Sequence, residues 1–152
     1  MADASFELLA RRLLGKVPRY FDVEKFDVNV EQRLNAKGER VTVSQAVVKV
    51  RVGAELLISA AEGNGPVNAL DLALRKDLGK YQSYITGLAL TDYRVRILNA
   101  GTHAVTRVLI ESADEAGDRW TTVGVSANII DASFQALMDS IVYKLVKSGA
   151  PA

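Results

Sequence analysis

From Phe21 onward, apolar residues alternate with polar ones. Phe26, Val28 and Val30 interleave with Asp27, Asn29 and Glu31, the period-two signature of a strand with one buried face. Asn35-Ala36-Lys37-Gly38 supplies turn chemistry. A second strand follows, in which Ala46, Val48, Val50 and Val52 alternate with Val47, Lys49 and Arg51. Gly53 marks a tight turn into a third strand through Leu56-Leu57-Ile58, which Gly63-Asn64-Gly65-Pro66 ends. The spacing then becomes helical. Val67, Leu70, Leu74 and Leu78 recur with Ala69 and Ala73 beside them, and Pro66 suits the first helical position, where its missing N–H costs nothing.

After Gly79 the same order returns. Leu88 to Leu98 reads as a strand, Val105 to Glu111 as a second and Trp120 to Val125 as a third, with a turn at Asp114-Glu115-Ala116-Gly117-Asp118. Within the first of these, Leu88 and Leu90 are out of phase with Tyr93, Val95 and Ile97, which predicts a bulge. A helix follows on Ile130, Phe134, Leu137, Ile141 and Leu145, widened by Met138 and Val142. Asn128 is its expected N-cap, Asp131 completes a capping box with a shorter acid, and the chain from Ser148 is expected to fray. Ahead of all this, Ala4 to Gly15 reads as a short amphipathic helix with Phe6, Leu9 and Leu13 on its apolar side. It fits equally a connector from a larger chain and a helix capping this domain.

Strand-strand-strand-helix therefore occurs twice. Asn35-Ala36 and Val41-Thr42 recur as Asn99-Ala100 and Val105-Thr106 at an offset of 64, and Ala69, Ala73 and Leu74 recur as Ala132, Ala136 and Leu137 at an offset of 63. The expected fold class is α+β: two βββα units forming a pseudo-twofold domain, preceded by a short connector helix. The expected divisions are 1–20 for the connector helix, 21–80 and 81–148 for the two units, and 149–152 for a tail. A helix on one three-stranded sheet is little core to stand alone. The halves are expected to pack around a groove, and the chain to form a homodimer.

Composition narrows the chemistry. The chain has 152 residues, 49% hydrophobic and 24% charged, and its net charge of +1 argues against nucleic acid as a partner. Cysteine is absent and histidine occurs once, at His103, which excludes thiolate chemistry and multi-histidine metal centres within the chain. No apolar run approaches the roughly 18 residues of a membrane span, and no signal peptide follows Met1, so no membrane partner and a cytoplasmic location are expected. His103 reads as a turn residue without a nucleophile at recognisable spacing, and Glu111, Asp114, Glu115 and Asp118 as a solvated turn. Gly63-Asn64-Gly65-Pro66 lets backbone approach a ligand at a helix N-terminus that favours a small carboxylate, although a plain strand-to-helix turn would use the same residues. Ala127-Asn128-Ile129 is its counterpart in the second half. Tyr93 sits at the predicted bulge and reads on pattern as a core tyrosine, and Trp120 as core or interface.

The stretches Gly63 to Leu70, Leu90 to Ile97, Arg107 to Ser112 and Thr122 to Ser133 resemble the C-terminal regulatory, dimerising domain of the 2-isopropylmalate synthase and citramalate synthase family, and the run at Asp92-Tyr93 favours the citramalate branch. The opening Ala4-Ser5-Phe6-Glu7-Leu8-Leu9 is similar to the connector after that family's catalytic barrel. The resemblance implies a regulatory domain that pairs between subunits and binds a branched-chain amino acid as feedback inhibitor. It implies effector contacts at Asn64, Val67 and Asn68, at Leu90, Tyr93 and Ile97, at Ala104, and at Val125 and Ala127, to which the backbone reading of the glycine turn adds Gly63 and Gly65. It also implies a catalytic domain of the parent enzyme as partner. The divalent metal and acetyl-CoA belong to that barrel, so this chain is expected to be an excised domain, not itself an enzyme and without a cofactor. Isoleucine control of a citramalate synthase is the leading expectation. Leucine control of a 2-isopropylmalate synthase is the alternative, as is a purely structural dimerisation module. Asn68, where the family often has an acid, and Ala127, where it often has proline, motivate the latter.

Overall fold

The computed structural model describes residues 2–98 and 104–152. The elements run α1 (Asp3–Leu13), β1 (Asp22–Leu34), β2 (Arg40–Val52), β3 (Glu55–Gly63), α2 (Pro66–Lys76), a 3-10 turn (Gly79–Tyr81), α3 (Gln82–Ile85), β4 (Ala89–Ile97), β5 (Thr106–Ala113), β6 (Arg119–Ser126) and α4 (Ile129–Lys147). The six strands form two antiparallel three-stranded sheets, β1-β2-β3 and β4-β5-β6, each followed by a helix. Two compact units result: Tyr20–Gln82, and Met1–Arg19 together with Ser83–Ala152.

In the Tyr20–Gln82 unit, the central strand β2 turns Ala46, Val48 and Val50 towards α2, which answers with Ala69, Leu70, Ala73 and Leu74, all buried. Gly53, in the left-handed region at φ +60°, makes the hairpin between β2 and β3 possible. Beyond the Ser44–Gly63 pair, β1 and β2 continue without β3 as a two-stranded ribbon to the Asn35–Gly38 turn. The predicted inward row on β1 is therefore only partly buried: Phe26 and Val28 are half-covered, while Val30 is 52% exposed and Leu34 64%. The segment after α2, not anticipated as helical, is closed by Gln82, which accepts from Leu78 N–H (2.8 Å) and donates to the Arg75 carbonyl (2.8 Å).

In the other unit α4 presents small residues to the sheet. Ala132, Ser133, Ala136 and Ser140 are buried, and Thr122 Oγ1 donates to the Ala136 carbonyl at 2.7 Å. Helix and sheet approach so closely that a Cβ on Gly124 would collide with the Ala132 carbonyl. Trp120 is core, its indole N–H donating to Ser140 Oγ at 3.3 Å. The residues from Ser148, expected to fray, instead close the helix: Ser148 N–H donates to Lys144 O and Ala150 N–H to Leu145 O, and Ala150 is buried.

Helix α1 forms where expected but docks on the other face. Phe6, Leu9 and Leu13 are 74%, 55% and 82% exposed, whereas Ala4 and Leu8 are buried. The reason lies in the sheet edge. The outward N–H groups of Thr121 and Val123 on β6 need acceptors, and Asp3 Oδ1 and Ser5 Oγ supply them at 2.9 Å each. Ser5 also donates to Asp139 Oδ2 on α4 (2.7 Å). Polar satisfaction of an edge strand, together with the small Ala4, outweighs the more apolar stripe.

Candidate functional site

The strand-to-helix turn of the Tyr20–Gln82 unit is built on close approach. Gly63 ends β3 opposite Ser44, and a Cβ there would lie 2.5 Å from both Ala69 N and Asn68 Oδ1. Asn68 folds back so that its Oδ1 accepts from Asn64 N–H at 3.1 Å. Gly65 is the N-cap, in extended conformation, and its carbonyl takes the first helical bond from Ala69 N–H at 2.9 Å. Having no side chain, it caps nothing. Among the described residues, the N–H groups of Val67 and Asn68 have no acceptor. Val67 itself is half-buried beside them.

The equivalent turn in the second unit lies 63 residues on, and there Asn128 is the N-cap. Its Oδ1 accepts from Ile130 N–H (2.8 Å) and Asp131 N–H (3.2 Å), the counterparts of Val67 and Asn68. The reciprocal half of the expected capping box comes from Ser126, whose Oγ accepts from Asn128 N–H (3.2 Å), rather than from Asp131. Ala127 is exposed between them.

Strand β4 carries the predicted bulge, a register shift between Leu90 and Asp92. Its effect is to put Leu90, opposite Ser112, and Tyr93, opposite Ile110, on the same helix-facing side although three positions separate them. Ser133 Oγ donates to the Ile129 carbonyl (2.7 Å), so the Tyr93 hydroxyl is the donor in its 3.3 Å contact with Ser133 Oγ, tying β4 to the first turn of α4. Ile97 lies further along that face, 64% exposed, with Val95 at 42%. Val125 does not join them. It pairs with Arg107 and points to the opposite face of the sheet, so one copy of this unit cannot place Val125 and Tyr93 on a common wall. Ala104 is half-buried, and His103 with Asn99-Ala100 lies outside the described residues.

The acidic turn is only partly solvated. Asp114 has a side chain 1% exposed, its Oδ1 accepting from the N–H groups of Ala116 and Asp118 and its Oδ2 from Lys144 (3.1 Å) and Lys147 (3.0 Å). Burial pushes its carboxyl up, but the bonds from Lys147, Lys144 and Asp118 N–H outweigh burial and hold it far below the usual carboxylate range. Bonds to Asp118 and Asp114 raise the Lys147 ammonium above the usual lysine range. Sequence reasoning missed this network. Its signal was Lys144, which stands on the buried stripe of α4 beside Ile141 and Leu145.

A family model described as the LeuA allosteric (dimerisation) domain matches residues 1–145. The chain belongs to this family. An (R)-citramalate synthase of Geobacter sulfurreducens is 52% identical over 97% of the chain and 28% of its own length, and one of Synechocystis sp. 49% over 95% and 26%. A 2-isopropylmalate synthase of Methanocaldococcus jannaschii is 29% identical over 97% of the chain. The chain thus spans little more than a quarter of the length of the curated relatives it matches. The LeuA-type domain accounts for both βββα units and for α1, since the match begins ahead of them. No described helix is long and apolar enough to cross a membrane.

Proposed function

We propose that this LeuA-type domain is the effector-binding and dimerising module of a citramalate synthase, a cytoplasmic acyltransferase, and that isoleucine is its feedback signal. The acyl transfer itself, with its divalent metal and acetyl-CoA, is assigned to the part of the relatives that this chain does not cover. One observation supports the reading most. The two N–H groups that Asn128 caps in one unit are left open at Val67 and Asn68 in the other. The carboxylate of a free amino acid supplies what the missing side chain does not, in the favourable field of a helix N-terminus. Val67 beside those donors, and Val28 and Val30 at the same end of the sheet, offer apolar surface for a branched side chain. On the family resemblance, Leu90 and Tyr93 are proposed as effector contacts within their own unit.

Calorimetric titration with isoleucine, leucine and valine in turn tests the proposal. Isoleucine is expected to bind, and valine roughly 10- to 200-fold more weakly, since one methylene in an apolar pocket is worth about 1–3 kcal/mol. Tyr93→Ala is expected to weaken isoleucine more than tenfold while Tyr93→Phe, which keeps the ring, stays near wild type. Preference for leucine moves the parent to 2-isopropylmalate synthase. Absence of heat with all three amino acids leaves a dimerisation module and sinks the effector reading.

A further inference from the structure

On the face of the β4-β5-β6 sheet turned away from α4, like charges stand directly opposite each other twice. Asp92 faces Glu111, and Arg96 faces Arg107. Such cross-strand pairs destabilise a sheet unless each charge finds a counter-ion. The acidic pair finds two: Arg94 donates to Asp92 at 2.8 Å and Arg119 to Glu111 at 2.9 Å. The basic pair finds none among the described residues, and the residues outside the description include no Asp or Glu. Arg107 Nε is buried and unpartnered there. Buried donors of this kind are expensive to leave orphaned, and a charged one more so. Beside it Arg94, Val95, Arg96, Arg107 and Leu109 line a depression of about 330 Å³.

We propose that Arg96 and Arg107, with Arg94 at the rim, form a binding site for a doubly charged oxyanion, a phosphate or phosphate ester. The charge count selects the class. Arg94 is matched by Asp92, which leaves two uncompensated guanidiniums. A lone carboxylate neutralises one of them, whereas a phosphate monoester carries about −1.5 to −2 at neutral pH. Guanidinium forks also suit phosphate oxygens bidentately, and a bound oxyanion gives the buried Nε its acceptor. None of these three arginines is among the proposed effector contacts, so the two proposals stand or fall separately.

The test is titration of the 152-residue chain with sodium phosphate and with pyrophosphate, in chloride buffer matched for ionic strength, read by calorimetry and by thermal unfolding. Saturable binding and a rise in Tm are expected for the wild type. The double variant Arg96→Gln/Arg107→Gln is expected to bind at least tenfold more weakly, each single variant about threefold or more, and Arg119→Gln as the wild type does. Should the double variant fail to fold, the single variants decide. Without phosphate, at low salt, the Gln variants are expected to melt no lower than the wild type, because a like-charge pair is relieved. Absence of saturable heat with either anion overturns the proposal, as does unchanged binding in the variants. A change of oligomeric state in the double variant, with no phosphate response in the wild type, also overturns it and gives the arginines to a contact between copies.

Discussion

The two βββα units share an order of elements and differ at the helix start. In one, Gly65 leaves Val67 and Asn68 N–H open; in the other, Asn128 closes Ile130 and Asp131 N–H. The rest of each unit follows the same division. The unit with the open turn has an 11-residue helix and a ribbon whose Val30 and Leu34 stay exposed. The unit with the capped turn has a 19-residue helix, an edge strand covered by α1 and a buried ion network at the far end of α4. The two helix starts are equivalent in position, and a side chain of the unit itself caps only the second. The comparison separates what a βββα unit needs to be stable from what it leaves available to a ligand.

The largest effect is expected where both units use the same device. Gly124→Ala drives a methyl group into the Ala132 carbonyl of α4, which is backbone that no change of rotamer can move aside. A loss of about 3 kcal/mol or more in urea unfolding is expected, at the upper end of the overpacking range. Gly63→Ala meets Ala69 N and Cα as well as Asn68 Oδ1, so backbone must shift there too, but its closest approach, 2.5 Å, is longer than that at Gly124. It is expected to cost less, roughly 1–2 kcal/mol. Equal losses would mean that the two helix-to-sheet contacts are equally tight.

Next comes the ion network, which the Tyr20–Gln82 unit lacks in this form. Asp114→Asn keeps the shape and can keep the turn bonds, but leaves the buried Lys144 with only the exposed Glu115 as anion. About 3 kcal/mol is expected, the low end for breaking a buried pair because one partner remains. The folded carboxyl is depressed, so its contribution is present above the unfolded value of about 3.9 and is lost as pH falls below it. The wild type is therefore expected to lose stability between about pH 4 and pH 2 more steeply than Asp114→Asn. Trp120, the single tryptophan, lies in this unit and its fluorescence follows the loss. Parallel acid slopes for the two proteins would show that Asp114 is not the group responsible.

The periodicities in the sequence made the strands, both main helices, the Asn128 cap and the β4 bulge legible, because each leaves a local trace: alternation, 3.6-residue spacing, a cap residue, a phase change. What stayed hidden depends on partners distant in sequence. The docking face of α1 is decided by N–H groups on β6, more than a hundred residues away, which no local pattern in residues 4–15 can reveal. Asp114 looked like an ordinary turn acid because Lys144 and Lys147 come from α4. That Tyr93 and Val125 stand on opposite faces of their sheet follows only from the pairing of each with β5, opposite Ile110 and Arg107. For the candidate site, the glycine turn and the helix start were readable. The uncapped state of Val67 and Asn68 N–H was not, since it required seeing where the Asn68 side chain goes.

A smaller effect tests the capped unit. Asn128→Ala removes the acceptor for two N–H groups and is expected to cost about 1 kcal/mol, within the usual range of about 0.5–2 for an N-cap. Thermal unfolding of the variant with and without isoleucine reads more than the cap. If loss of the cap turns this helix start into a second effector site, isoleucine will restore part of the lost Tm. If it does not, free N–H groups alone are insufficient, and the apolar surface at the open unit is what selects the ligand.

The smallest change in stability is expected from the converse substitution, Gly65→Asn. Position 65 is extended, and a Cβ there meets nothing within 4 Å, so the new side chain can take the N-cap role that Asn128 has. Replacing an N-cap Gly with Asn gains only a few tenths of a kcal/mol. Its consequence for ligand binding is larger. The new carboxamide oxygen occupies Val67 and Asn68 N–H, the groups assigned to the effector carboxylate, and a carboxylate at a helix N-terminus is worth about 0.3–1 kcal/mol when exposed and up to about 2 when partly buried. Isoleucine affinity is therefore expected to fall between about twofold and thirtyfold while the protein becomes marginally more stable. Weaker binding by a protein that is no less stable separates occupation of these two N–H groups from a general loss of structure. Calorimetry and urea unfolding on the same preparation measure both. A Gly65→Asn variant that gains stability and still binds isoleucine as the wild type does would place the carboxylate elsewhere in the chain.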